Sequence, residues 1–227
     1  MAYVLPNNTL YLHIPKTGGN WLTDVLRKIH LIKGSISHKH ADLSFAATMR
    51  PTSAPNKWVQ EKWVRFRYLE EPFNTICVVR HPLSWYSSWY RYQVGRNWPR
   101  WGESANWSNW HIWAELNHLC QNPPKSYDEY VERLLRYSPG YCSRMFGRYS
   151  SGKDGVVFKQ EVLATQAKEF FSGSTWGLSQ LQLAHFDGQP IGTSPLIMTP
   201  LRNDLRNELL KFDATALALY GYDACTD

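Results

Sequence analysis

A β-prone run, a glycine turn and a helical stripe follow one another within residues 9–30, and that order constrains the chain more than any other feature. Residues 9–14, Thr-Leu-Tyr-Leu-His-Ile, alternate in the manner of a short strand. The turn Pro15-Lys16-Thr17-Gly18-Gly19 follows, and then Trp21, Leu22, Val25, Leu26 and Ile29 recur at helical spacing. The same order returns at residues 74–94. The run 74–79, Asn-Thr-Ile-Cys-Val-Val, is continuous and apolar, as a strand buried on both faces should be. Arg80-His81-Pro82 then leads into an aromatic helical stretch at 83–94, with Pro82 placed for a first helical turn.

The pattern continues downstream. Ser126-Tyr-Asp-Glu129 is a capping box ahead of Tyr130, Val131, Leu134 and Leu135. Residues 156–158 read as another buried strand and 161–171 as its helix. A Gly-, Pro-, Ser- and Thr-rich loop spans 187–200, and a last helix is expected over 201–220, stopped by Gly221. Strands alternating with helices predict an α/β fold with a central, mainly parallel sheet flanked by helices. With no linker or charge run to divide it, the whole chain, 1–227, is expected to be one domain.

Composition narrows the classes. At 43% hydrophobic and 19% charged residues, the chain is neither disordered nor fibrous. Its net charge of +6 points to an anionic partner: nucleic acid, a phosphate cofactor or an acidic polymer. Charge alone does not choose among them. Cys77, Cys120, Cys142 and Cys225 are scattered without a C-x-x-C pair, which predicts reduced thiols rather than a zinc ribbon or a disulfide framework. No run approaches the ~18 apolar residues of a membrane span, and the first residues lack the pattern of a signal peptide. A cytoplasmic protein with no membrane span is the expectation. Residues 95–125 break the alternation with Trp98, Trp101, Trp107, Trp110 and Trp113 among polar and turn residues. They form either an inserted lid or substrate wall, or the core of an inserted helix.

The first turn carries the chemistry. A strand that ends in a Gly-rich turn presents backbone N–H groups at the next helix N-terminus, and those donors with the helix dipole suit a phosphate. Gly18 and Gly19 let the backbone approach an anion closely. Lys16 adds a mobile cation, and Thr17 and Asn20 add short polar side chains. The turn is not a Walker A loop, since Lys16 precedes the glycines and Asn20-Trp21 follows them, where a magnesium-binding Ser or Thr would stand. The plainer reading is a tight strand-to-helix turn with an exposed lysine.

His13-Ile-Pro-Lys-Thr-Gly-Gly-Asn-Trp-Leu22 resembles the phosphosulfate-binding loop of sulfotransferases that use 3′-phosphoadenosine 5′-phosphosulfate (PAPS), and is most similar to members with a His-Ile-Pro-Lys-Thr-Gly-Gly opening. Asn20 departs from the family's usual Thr or Ser but still offers hydrogen bonds. A second family motif has Arg at a strand end, Pro two residues on and Ser eight residues on; Arg80, Pro82 and Ser88 match it. Arg suits that place because its planar fork pairs bidentately with phosphate, although an Arg at a strand end is also a common structural ion-pair former. Weaker similarity runs through residues 157–163 and the C-terminal helix.

The resemblance implies a P-loop-like sulfotransferase fold, PAPS as cosubstrate with 3′-phosphoadenosine 5′-phosphate (PAP) as product, and no metal requirement. It implies that Lys16, Thr17, Gly18, Gly19, Asn20, Trp21, Arg80 and Ser88 hold the cofactor, with Lys16 also stabilising the leaving phosphate and Trp21 stacking on adenine. The alternative for Trp21 is a core position on the first helix. A base for the acceptor hydroxyl or amine is expected from Ser37-His-Lys-His-Ala-Asp42. His40 is the candidate, with His38 in reserve near the acceptor, and two solvated loop histidines are the plainer reading. Carbohydrates and small molecules are both open as acceptors. Competing readings are a P-loop kinase, a non-catalytic nucleotide binder that keeps the fold without turnover, and a single-stranded nucleic-acid binder; the last does not account for the glycine turn, and no nucleic acid is expected as partner.

Overall fold

The computed structural model describes residues 2–36, 42–43, 73–98, 114–150, 155–188 and 198–224. Along the chain the strands are β1 (Ala2–Leu5), β2 (Thr9–Leu12), β3 (Gly34–Ile36), β4 (Asn74–Val79) and β5 (Val156–Lys159). The helices are α1 (Gly19–Lys28), α2 (Pro82–Gly95), α3 (Asn117–Gln121), α4 (Tyr127–Tyr137), α5 (Tyr141–Gly147), α6 (Leu163–Phe171), α7 (Gln180–Leu183), α8 (Asn203–Phe212) and α9 (Ala214–Tyr220). They fall into two compact units, Met1–Arg80 with Gly147–Gly192, and His81–Phe146 with Thr193–Asp227.

The first unit is α/β and holds the sheet, in the order β3-β1-β2-β4-β5. β2 pairs with β4 and β4 with β5 in parallel, while β1 is antiparallel to both β2 and β3. The sheet is therefore mixed and mostly parallel, with β1 alone running against the others. The reversal is made by the turn Pro6-Asn7-Asn8, where Asn7 and Asn8 take φ of +56° and +50°. Asn tolerates the left-handed region better than other non-glycine residues, and a turn of that hand matches strand twist. α1 is the helix expected after the glycine turn. It buries Leu22, Val25 and Leu26 against a core that also takes Ile76 and Val78 from β4, with Phe158 from β5 and Phe171 from α6. Fully burying a side chain of this size contributes about 1.5–3 kcal/mol, so this single apolar stripe fixes the helix on the sheet.

The second unit is helical in its described residues and packs on aromatic rings. α2 starts with Pro82 at its first position, as the sequence predicts. Its Trp85 and Trp89 are fully buried, and Trp85 meets Tyr86, Tyr141 and Phe146 at ring-centroid distances of 5.2–5.9 Å. Trp98 is buried against Tyr90 and Tyr130, at 5.9 and 6.0 Å, so this tryptophan is core. The other four tryptophans of the 95–125 segment lie outside the described residues. Ser126 caps α4 by accepting the Glu129 amide at 3.1 Å, but the Glu129 carboxylate takes the Lys125 amide instead of Ser126's, which makes half of a capping box.

The expected last helix is two. α8 ends at Phe212 and α9 begins at Ala214, with Asp213 between them at φ −98° and ψ 19°. The Asp213 carboxylate, 1% exposed, accepts the Tyr86 hydroxyl at 2.8 Å and the Ser143 amide at 2.7 Å. Helical periodicity continues across residue 213, but the break directs a buried carboxylate to the first turn of α5. Gly221 ends α9 in the left-handed conformation, as expected.

Candidate anion-binding site

In the first unit the turn 15–18 leaves the end of β2 and opens α1. Lys16 has a φ of +67° and Gly18 of +84°. For Gly18 this costs little; for Lys16 a left-handed conformation costs about 1–2 kcal/mol, a strain of the kind that gathers at functional turns. Gly18 is packed from outside, since a Cβ there would stand 3.1 Å from Cγ of Gln160 and 3.3 Å from Cδ2 of Leu163. Gly19 has no room at all: a Cβ would fall 2.2 Å from Cδ2 and 2.5 Å from Nε2 of His13.

The arginine of the second motif arrives at the same turn. Leu12 pairs with Cys77 across β2 and β4, and Val79 with Lys159 across β4 and β5. The carboxyl ends of these parallel strands thus lie side by side, which is the edge where open α/β sheets bind ligands. Arg80, the residue after β4, sends its guanidinium back to the turn, and Nη1 donates to the Lys16 carbonyl at 3.4 Å. Two segments 64 residues apart in the chain are joined there. α1 carries no acidic residue in its first turn, a feature it shares with every described α-helix except α4, which has Asp128 and Glu129, and α8, which has Asp204. An acidic side chain in the first turn would complement the helix dipole; without one, the N-terminal charge of α1 is left for something else.

The remaining expected residues are placed as follows. Thr17 is fully buried and its hydroxyl donates to the Ile14 carbonyl at 2.9 Å, so what it offers outside the turn is its main chain. Asn20 is exposed at the start of α1. Trp21 is half-buried, packs against the core and meets Phe186 edge-on at 6.4 Å; its Nε1 would lie 3.8 Å from a Cβ on Gly188. Ser88 is half-buried on α2, in the second unit. His38 and His40 lie outside the described residues.

Two features of the site went unread in the sequence. One is the row of stacked rings beneath the turn: Tyr3 on Tyr11 at 5.9 Å and Tyr11 on His13 at 6.3 Å. Strand alternation puts Tyr11 and His13 on one face, and that was a usable signal. The other is Gln160, whose position over Gly18 follows only from the pairing of β4 with β5.

Cys77, in the middle of β4, is a buried free thiol whose pKa is pushed up to about 12 by burial. Cys142 is also free and buried, Cys120 is free and half-buried, and Cys225 lies outside the described residues. Among the described residues no three His, Cys, Asp or Glu side chains gather as a metal-ligating group, and no helix is long and apolar enough to cross a membrane. No protein-family model matches the chain, and no curated protein or solved structure matches it either.

Proposed function

We propose that this protein is a PAPS-dependent sulfotransferase with a P-loop-like fold, moving a sulfonate group to a hydroxyl or amine of an acceptor. The observation that supports this reading is the hydrogen bond from Arg80 to the Lys16 carbonyl, which joins one residue of each motif. The donor set fits the cosubstrate. It consists of two cations, a glycine turn and a helix N-terminus free of acidic side chains, and PAPS carries anions at both ends.

In sulfonate transfer the S–O bond to the 5′-phosphate breaks and its electron pair stays on the phosphate oxygen. A new bond forms from sulfur to the acceptor, S–O for a hydroxyl or S–N for an amine, and the acceptor's proton leaves to a base. Lys16 and the amides that open α1 stabilise the charge left on the phosphate, where fixed donors act without reorganisation. Arg80 binds the 3′-phosphate and braces the turn through Lys16. Ser88 enters this reading from the sequence motif alone, as does His40, with His38 in reserve, for the role of base. The acceptor is a carbohydrate or a small molecule.

Isothermal titration tests the reading. PAP without metal should bind wild type, while Lys16→Ala and Arg80→Ala should each weaken it by about tenfold or more, the usual scale for a hydrogen bond to a charged group. A preference for ATP with magnesium, or no nucleotide binding, would overturn it.

A further inference from the structure

The carbonyl oxygen of Gly19 receives an unusual share of donors. Tyr11 Oη donates to it at 3.1 Å from β2, and Thr23 Oγ1 donates at 2.7 Å from the next turn of α1. Both side chains are buried, Tyr11 at 0% and Thr23 at 4% exposure. Beside them the His13 ring stacks on Tyr11 and closes the space next to the Gly19 α-carbon. Burial raises the Tyr11 pKa far above that of a free phenol, so its proton stays available for donation.

A peptide unit is planar, and its C=O and N–H point opposite ways. The carbonyl of Gly19 shares its plane with the amide of Asn20, one of the first N–H groups of α1, which have no intrahelical acceptor. Donors on the carbonyl therefore fix the direction of that N–H. They also polarise the peptide and strengthen it as a donor, as in any hydrogen-bond chain.

We propose that Tyr11 and Thr23 are positioning residues for the anion turn, holding the Gly19–Asn20 peptide so that the Asn20 amide is aimed at, and strengthened toward, a phosphate group of the nucleotide. This rests on the cofactor reading above. The two hydroxyls touch no ligand themselves. They act through the far side of one peptide bond, and His13 keeps that peptide from shifting.

The test is a titration of the full-length, 15N-labelled protein with PAP, followed by amide NMR and by calorimetry in parallel. In wild type the Asn20 amide proton should move downfield as PAP saturates. Tyr11→Phe and Thr23→Val should each shrink that displacement and raise the Kd about threefold to tenfold, the scale of one neutral hydrogen bond. Thr23→Ser, which keeps the hydroxyl, should restore both. Tyr3→Phe removes a hydroxyl from the same row of rings, one that accepts from Arg27 and does not bond Gly19, and should leave both unchanged. A wild-type response in Tyr11→Phe and Thr23→Val would overturn the positioning role and leave the cofactor reading standing. No response of the residue 18–20 amides in wild type would overturn both. If Tyr11→Phe fails to fold, the Val and Ser variants of Thr23 decide the matter, since only a hydroxyl-dependent effect separates them in this way.

Discussion

Lys16 holds a left-handed backbone conformation that glycine would hold without strain, so replacing it separates what its backbone costs from what its ammonium does. At φ +67° the Cβ of Lys16 carries about 1–2 kcal/mol of local strain. Lys16→Gly removes that strain but frees the unfolded chain, which costs about 0.4–1 kcal/mol. The net expectation is a gain of about 0.5–1 kcal/mol, or a rise in Tm of about 1–4 °C for a chain of this size. Lys16→Ala keeps the Cβ and the strain, and should stay within about 0.5 kcal/mol of wild type. Both variants lose the ammonium, and PAP binding should weaken about tenfold to a hundredfold in each. Urea denaturation and calorimetry on the three proteins read the two effects separately. A Lys16→Gly variant less stable than wild type would refute the strain argument. Unchanged PAP binding in both variants would refute the role of the ammonium.

Gly19→Ala should destabilise the fold by about 1–3 kcal/mol, because its Cβ would stand 2.2 Å from His13 Cδ2; Gly95→Ala, with nothing within 4 Å, should be neutral or stabilising in the same urea titration. Tyr86→Phe should cost about 2–3 kcal/mol in urea unfolding, since it strips a donor from the Asp213 carboxylate and an acceptor from the Cys142 amide, both buried. Burial raises the Asp213 pKa above its unfolded value, so the folded chain holds this proton more tightly than the unfolded chain does. The stability it contributes is full below its unfolded pKa of about 3.9 and is lost as pH rises through the raised folded value. The stability difference between wild type and Asp213→Asn should shrink over that rise, and a pH-independent difference would count against it. In maleimide labelling read by peptide mapping, Cys120 should react in the native protein, while Cys77 and Cys142 should be protected until it unfolds.

Local signals carried over well where one element's own chemistry decided the outcome. Pro82 starts α2, Ser126 caps α4 and Gly221 stops α9, and each acts through its own backbone or a neighbour three residues away. β1 and β3 were not read, although Ala-Tyr-Val-Leu before Pro6-Asn7-Asn8 is a hairpin signal. Neither is followed by a glycine turn and a helix, the pattern that marked β2, and both are held in the sheet by pairing, β1 with β2 on one side and with β3 on the other. The split at Asp213 was invisible for another reason. Nothing in residues 201–220 announces that a carboxylate will be claimed by Tyr86, 127 positions earlier.

The sequence by itself determined the order of strand, glycine turn and helix, and the α/β class, because short-range patterns of polarity and conformational preference carry both. Tertiary structure alone decided that Arg80 reaches the Lys16 carbonyl, that Gln160 covers Gly18, and that Tyr11 reaches from the sheet to the Gly19 carbonyl. Those contacts depend on which strands pair and in what register. Register is settled by burying the apolar faces of the whole sheet at once, and no single segment carries that information.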